Sequence, residues 1–151
     1  GLGCSLALFC DFIYATPRSK FADPHVNVGL VAGDGGCVIW PQLIGYARAR
    51  KYLLTGEQIK AEAAYDIGLI TEVVSEDDID SSVQALAEQL RDGAKYSIRW
   101  TKTSINAGLK VMANAIIDRA AAFENVTQLM EDHKIALEAF SKKEKPKFIQ
   151  K

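Results

Sequence analysis

The chain has little of what staples or anchors many small proteins. Its 151 residues hold three cysteines, Cys4, Cys10 and Cys37, an odd number with no C-x-x-C pair. No His or Asp stands at ligand spacing from them, which excludes a disulfide framework and a cysteine metal centre. They lie among Leu, Ala, Val and Ile and read as buried small hydrophobes of a reducing compartment. A dominant charge sign is lacking too. Lys and Arg total 18 against 19 Asp and Glu, a net charge of -1. That balance excludes a nucleic-acid binder working through overall basic charge. The first apolar stretch, GLGCSLALFCDFIYA, is cut by Ser5, Cys10 and Asp11, so it reads as neither an export signal nor a membrane span. There is no internal repeat and no low-complexity linker.

What is present is a globular composition, 48% hydrophobic and 25% charged, with enough apolar sequence for a core. Residues 3–10 read as a short helix from a Gly-rich turn, and 12–15 as a buried strand. Residues 16–19 form a turn, and 20–22 extend briefly before Asp23-Pro24 breaks the run. Residues 25–36 are a loop with four glycines and one acid. Residues 37–44 read as a short helix interrupted near Pro41, followed by helices at 47–54 and 60–67 that end on glycine-bearing stops. Residues 69–74 are a β-branched strand. Residues 77–90 form an amphipathic helix with acids in its first turn, and 95–106 resume helix. The face from Ile105 to Met130 is apolar at helical spacing and broken around Gly108. The strands 12–15 and 69–74 read as buried on both faces, so they need neighbours. Those neighbours are expected upstream of residue 1.

Three groups of residues carry chemistry. The Gly1-Leu2-Gly3 turn opens a helix, whose free N–H groups and positive dipole end suit an oxyanion; close helix packing also wants glycines. His25 is an imidazole able to move a proton near neutrality, and Asp34, nine residues on, is placed to orient it; Asp34 is equally placed to cap the helix near Gly36. The tail KKEKPKFIQK is basic, and either meets a phosphate or frays into solvent. Ser5 lacks any nucleophile-elbow motif.

The order GLGCSLALFCDFIYA, Phe21, Pro24, Gly29-Leu30, Gly33-Asp34-Gly35-Gly36, Trp40-Pro41, Leu43-Ile44-Gly45, Leu53-Leu54-Thr55-Gly56, Ala61-Glu62-Ala63, Gly68-Leu69, Val73-Val74 and Lys145-Pro146 resembles the enoyl-CoA hydratase/isomerase (crotonase) family. The family unit is about twice this long. The resemblance implies the C-terminal half of a ClpP/crotonase-like α/β fold: residues 1–74 as the second half of the core, a ββα spiral remnant, and 75–151 as a helical trimerisation region. It implies a lyase or isomerase of fatty acid metabolism, acting on an acyl-CoA or related carbonyl. The second oxyanion-hole amide falls on the Leu2 N–H, with Gly1, Gly3, Ser5, Gly33 and Trp40 around the substrate. Lys143 and Lys145 are implied for CoA phosphates.

Hydratases of this family use two Glu side chains, and the matching positions here are Ser5 and His25, so ordinary hydration is put in doubt. The pattern Asp23-x-His25, Gly33-Asp34-Gly35, Trp40-Pro41 is similar to the β-diketone C–C hydrolase branch. There the matching His and Asp are active-site residues, joined by a Glu that corresponds to Glu124. The catalytic set implied is therefore His25, Asp34 and Glu124, with no metal and no cofactor beyond the coenzyme A of the substrate. The alternatives are retro-Claisen cleavage of a β-diketone, a non-catalytic family member or an assembly fragment. A homotrimer or dimer of trimers is implied, in the cytoplasm or, in a eukaryote, the mitochondrial matrix, with no membrane or nucleic-acid partner.

Overall fold

The computed structural model describes residues 1–148; Ile149, Gln150 and Lys151, the end of the basic tail, lie outside the described residues. Helix α1 (Leu2–Leu8) leads to the strand β1 (Tyr14–Ala15), β2 (Lys20–Phe21) and a 3-10 turn (His25–Val28). Then follow α2 (Gly36–Thr55), β3 (Ile59–Lys60), α3 (Ala61–Asp66) and β4 (Glu72–Val73). Three helices complete the chain: α4 (Ile79–Asp92), α5 (Lys95–Gln128) and α6 (Glu131–Ser141).

The two strands expected to lack partners find each other. β1 pairs with β4 in parallel, Tyr14 opposite Glu72 and Ala15 opposite Val73, and β2 pairs antiparallel with β3. Neither is buried on both faces, because Tyr14 is only half-buried and Glu72 is exposed. Each sheet has two strands, a size that holds only by packing against helices.

Pro41 does not end its helix. It sits in the second turn of α2, where one missing N–H costs one bond, and the break falls at Gly45, with φ 74° and ψ 160°. That left-handed backbone is open to glycine and strained for other residues. Nor does Gly108 break α5, which runs unbroken through 34 residues. A single helical glycine costs about 1 kcal/mol against Ala, a penalty the flanking turns absorb. Of the cysteines, Cys10 is exposed rather than buried, and Cys4 and Cys37 are half-buried.

The core gathers Leu8, Phe21, Ile39, Ile44, Ile59 and Leu69 around Trp40. Each large side chain so enclosed contributes roughly 1.5–3 kcal/mol. Helix α5 packs along α2, and α6 packs on the 3-10 turn. There the His133 Nδ1–H donates to the Val28 carbonyl at 2.7 Å, and the Val31 N–H donates to Thr127 Oγ1 at 3.3 Å. The C-terminal helices thus brace the loop that carries His25 and Asp34.

Candidate active site

Strand β2 ends at Phe21, and the chain turns through Ala22 into Asp23-Pro24-His25. The Gly1 backbone nitrogen donates to the Ala22 carbonyl at 2.7 Å. This tie sets the start of α1 beside the turn, so that a Cβ on Gly1 would stand 3.8 Å from His25 Cε1. Pro24 caps the 3-10 turn and directs the His25 side chain back over Asp23. The Asp23 side chain is wholly buried, and its Oδ1 accepts the Nδ1–H of His25.

The other ring nitrogen faces two acids. His25 Nε2 stands 3.3 Å from Asp34 Oδ2 and 3.8 Å from Glu124 Oε1. Asp34 is held from its far side by Ser5, whose Oγ donates to Asp34 Oδ1 at 3.3 Å. Its Oδ2 is buried and makes no aligned hydrogen bond among the described residues. It therefore keeps a lone pair free for a proton. Glu124 arrives from near the C-terminal end of α5, and it comes this close because Gly33 has no side chain. A Cβ there would lie 2.4 Å from the Ala120 carbonyl oxygen and 2.7 Å from Glu124 Oε2.

The charges reinforce one another. The hydrogen bond to Asp23 raises the His25 imidazole above its ordinary value; burial opposes this, and the charges of Asp23, Asp34 and Glu124 add to it. Burial alone would raise the Asp23 carboxyl, but the His25 hydrogen bond and charge outweigh it and hold the group below its ordinary range. Burial pushes both the Cys4 and Cys37 thiols up, which keeps them protonated and poor nucleophiles. The arrangement is an imidazole, bonded below to a buried carboxylate, whose Nε2 faces two further carboxylates. Such a group stores a proton and returns it to a neighbouring atom. Asp23, His25 and Asp34 also bring ligand-type atoms within 4.8 Å of one another; Asp23 Oδ1 is already committed to Nδ1, which leaves Nε2 and the two outer acids as the open donors.

Of the site residues expected from sequence, the structure brings together Gly1, Ser5, His25, Gly33, Asp34 and Glu124. Leu2 and Gly3 occupy the first turn of α1. The intrahelical ladder starts with Cys4 and Ser5 donating to the Gly1 carbonyl at 2.9 and 3.0 Å, so the Leu2 and Gly3 N–H groups lie ahead of it. Asp34 does not cap α2, whose N-cap is Gly35 without a side-chain bond. Trp40 is a correction. It is 0% exposed and tilts against Tyr52 at 5.8 Å, a core residue unable to touch a substrate. Lys143 and Lys145 are exposed beyond the end of α6 and take no part in the His25 contacts. Sequence reasoning missed Asp23 as a site residue. Its signal was an acid two residues before His25, across a proline that holds both side chains on one side of the turn.

A separate cavity of about 890 Å³ runs between the end of α1 and the facing sides of α2 and α5, lined mainly by apolar side chains such as Phe9, Leu43, Ile105 and Leu109. None of the site residues lines it.

A family model described as enoyl-CoA hydratase/isomerase matches residues 1–151. A crotonyl-CoA hydratase of Syntrophomonas wolfei is 33% identical over 155 aligned positions, covering 100% of this chain and 58% of the relative. An enoyl-CoA hydratase/isomerase structure from Pseudoalteromonas atlantica superposes with a TM-score of 0.90 at 28% identity, over 99% of this chain and 60% of that one. A β-diketone hydrolase of the cyanobacterium Anabaena, bound to (S)-3-oxocyclohexyl acetic acid, superposes at 0.76 and 29% identity, over 85% of this chain and 50% of that one. The chain thus spans little more than half the length of these relatives.

Proposed function

The chain belongs to the enoyl-CoA hydratase/isomerase family and has a partial crotonase-like α/β fold, and from that premise we propose that it acts on an acyl-CoA thioester or a related carbonyl compound, with His25 and Asp34 moving the proton. The observation that carries this reading is the placement of His25 Nε2 3.3 Å from Asp34 Oδ2, beside the first turn of α1. In this reading the Leu2 N–H, at the positive end of α1, donates to the substrate oxygen as negative charge develops there. His25 gives its Nε2 proton to the carbon or oxygen that becomes basic, and Asp34 or Glu124 takes a proton from the attacking water. Coenzyme A enters as part of the substrate, and Lys143 and Lys145 are proposed for its phosphates.

Retro-Claisen hydrolysis of a β-diketone is the second reading, favoured by His25 and Ser5 standing where the resemblance implies two Glu. Water adds to one carbonyl, the tetrahedral oxyanion collapses, the C–C bond breaks, and the enolate takes its proton from His25. The exposed apolar residues Phe123, Leu129 and Phe140 support a trimer, or paired trimers, built through α5 and α6. No described helix is long and apolar enough to cross a membrane. A site in the cytoplasm, or in the matrix of mitochondria, belongs to the same proposal.

The test uses the full-length polypeptide containing residues 1–151, incubated with crotonyl-CoA and with a cyclic β-diketone. Turnover of either substrate, lost by about 10²–10⁴-fold in His25→Gln, supports the reading. Turnover of crotonyl-CoA alone, unaffected by His25→Gln, overturns the His25 and Asp34 mechanism. Turnover of neither substrate favours a non-catalytic member.

A further inference from the structure

The reaction needs one ring nitrogen of His25 to exchange protons and the other to stay fixed, and the group that fixes it is not Asp34. Asp34 stands on the Nε2 side, 3.3 Å away, on the same side as Glu124. The far side of the ring belongs to Asp23. We propose that Asp23 is a positioning residue: by accepting the Nδ1–H of His25 it fixes the ring's orientation and tautomer, leaving Nε2 as the one nitrogen that exchanges a proton with Asp34, Glu124 or substrate. This rests on the reading of His25 as the proton carrier.

Three observations support the assignment. The Asp23 side chain is 0% exposed while His25 retains 12% exposure, so Asp23 lies beneath the ring with no path to substrate. Asp23 is walled in. A Cβ on Gly36 would fall 2.1 Å from Asp23 Oδ2, and that oxygen has no hydrogen-bond partner among the described residues. The carboxylate is therefore held by its packing and by two bonds at Oδ1, both from His25: one from the ring Nδ1–H and a longer one from the backbone N–H at 3.5 Å. Finally, a carboxylate only accepts, so its partner nitrogen must carry the proton. This is the same logic by which a buried Asp sets the base in a hydrolase triad.

The experiment reads the ring itself. The ¹⁵N and ¹H imidazole signals of His25 in the full-length polypeptide are assigned by comparison with His25→Gln. In the parent protein Nδ1–H of His25 is expected as a downfield, slowly exchanging proton, and the ring titrates above its ordinary value. The groups facing it are Asp23, Asp34 and Glu124, with the half-buried Cys4 and Cys37 thiols nearby. Asp23→Asn keeps the shape and removes the charge. Its amide N–H then donates to Nδ1, moving the ring proton to Nε2. The downfield signal should vanish and the titration midpoint fall, with kcat reduced by about 10²–10⁴-fold at little change in KM. An Asp23→Asn protein that is less stable but keeps the parent's tautomer and midpoint overturns the proposal. If that variant does not fold, the parent alone decides: a neutral His25 protonated on Nε2 rather than Nδ1 overturns it. The spectra require no turnover, so this assignment stands or falls separately from the assay of the preceding subsection.

Discussion

Gly36→Ala tests whether the close packing around Asp23 governs the site. Gly36 is the first residue of α2 and has no left-handed backbone to protect, so on an open helix an added methyl would stabilise by about 1 kcal/mol. Here the methyl meets Asp23 Oδ2 at 2.1 Å and the Ala32 Cβ at 3.2 Å. Non-bonded heavy atoms settle at about 3.5 Å or more, so the carboxylate must retreat by more than an ångström. Asp23 is buried and has nowhere to go except out of line with His25 Nδ1.

Two losses oppose the helical gain. A hydrogen bond to a charged group contributes about 1.5–3 kcal/mol, and overpacking a core site costs about 1–3 kcal/mol. The expected balance is a destabilisation of about 2–4 kcal/mol, read from urea unfolding. Gly108→Ala is the matched control, because its added methyl meets nothing within 4 Å; it should gain about 0.5–1 kcal/mol. The His25 titration should fall in Gly36→Ala and stay put in Gly108→Ala. A Gly36→Ala protein as stable as its parent, with the imidazole unchanged, refutes the reasoning.

The Asp23 and His25 pair has a defined pH window. Its contribution is fully present between the ordinary values of 3.8 and 6.5. It is lost as pH falls through the lowered Asp23 value and as pH rises through the raised His25 value; unfolding free energies of parent and Asp23→Asn should differ most inside that window. Gly33→Ala should part the loop from α5, costing about 1–3 kcal/mol and reducing kcat as Glu124 is displaced; unchanged kinetics would show that Glu124 has no part in the reaction. Cys10, the exposed thiol, should react first with a thiol reagent, well ahead of Cys4 and Cys37, as mass spectrometry of the labelled peptides would show; equal labelling would contradict the burial described for those two.

The helices were legible because their signals are local. Gly56, in a left-handed conformation at φ 64°, marks the end of α2, and the acid Asp80 in the first turn of α4 marks its start. The loop acids His25 faces were partly legible through spacing, Asp34 in the Gly-rich segment and Glu124 by correspondence over the length of the chain. Less legible was anything set by close approach across distant segments. The β1 and β4 pairing joins residues 14–15 to 72–73, and no local pattern declares it. Pro41 suggested an interruption that the helix does not show, whereas the gap expected between 37–44 and 47–54 does hold the kink, at Gly45. Trp40 followed the family pattern in sequence but lies wholly in the core, since a motif does not say which face of α2 a residue occupies.

Asp23 and His25 act as one unit in physical terms. The resemblance implies a Glu at each of positions 5 and 25. Ser5 puts a hydroxyl at the first, and that hydroxyl holds Asp34, so a carboxylate is supplied by the loop instead of by α1. His25 puts an imidazole at the second, and its protonated form is favoured by an adjacent anion. Asp23 is that anion. Its own burial would be costly beside any neutral or negative residue, for a buried carboxylate without a partner is among the more destabilising features a core can hold. A lone His25→Glu change therefore cannot restore a two-carboxylate site, because it would set a second negative charge against a buried Asp23 that Gly36 leaves no room to move. The imidazole and its buried acid form one hydrogen-bonded device.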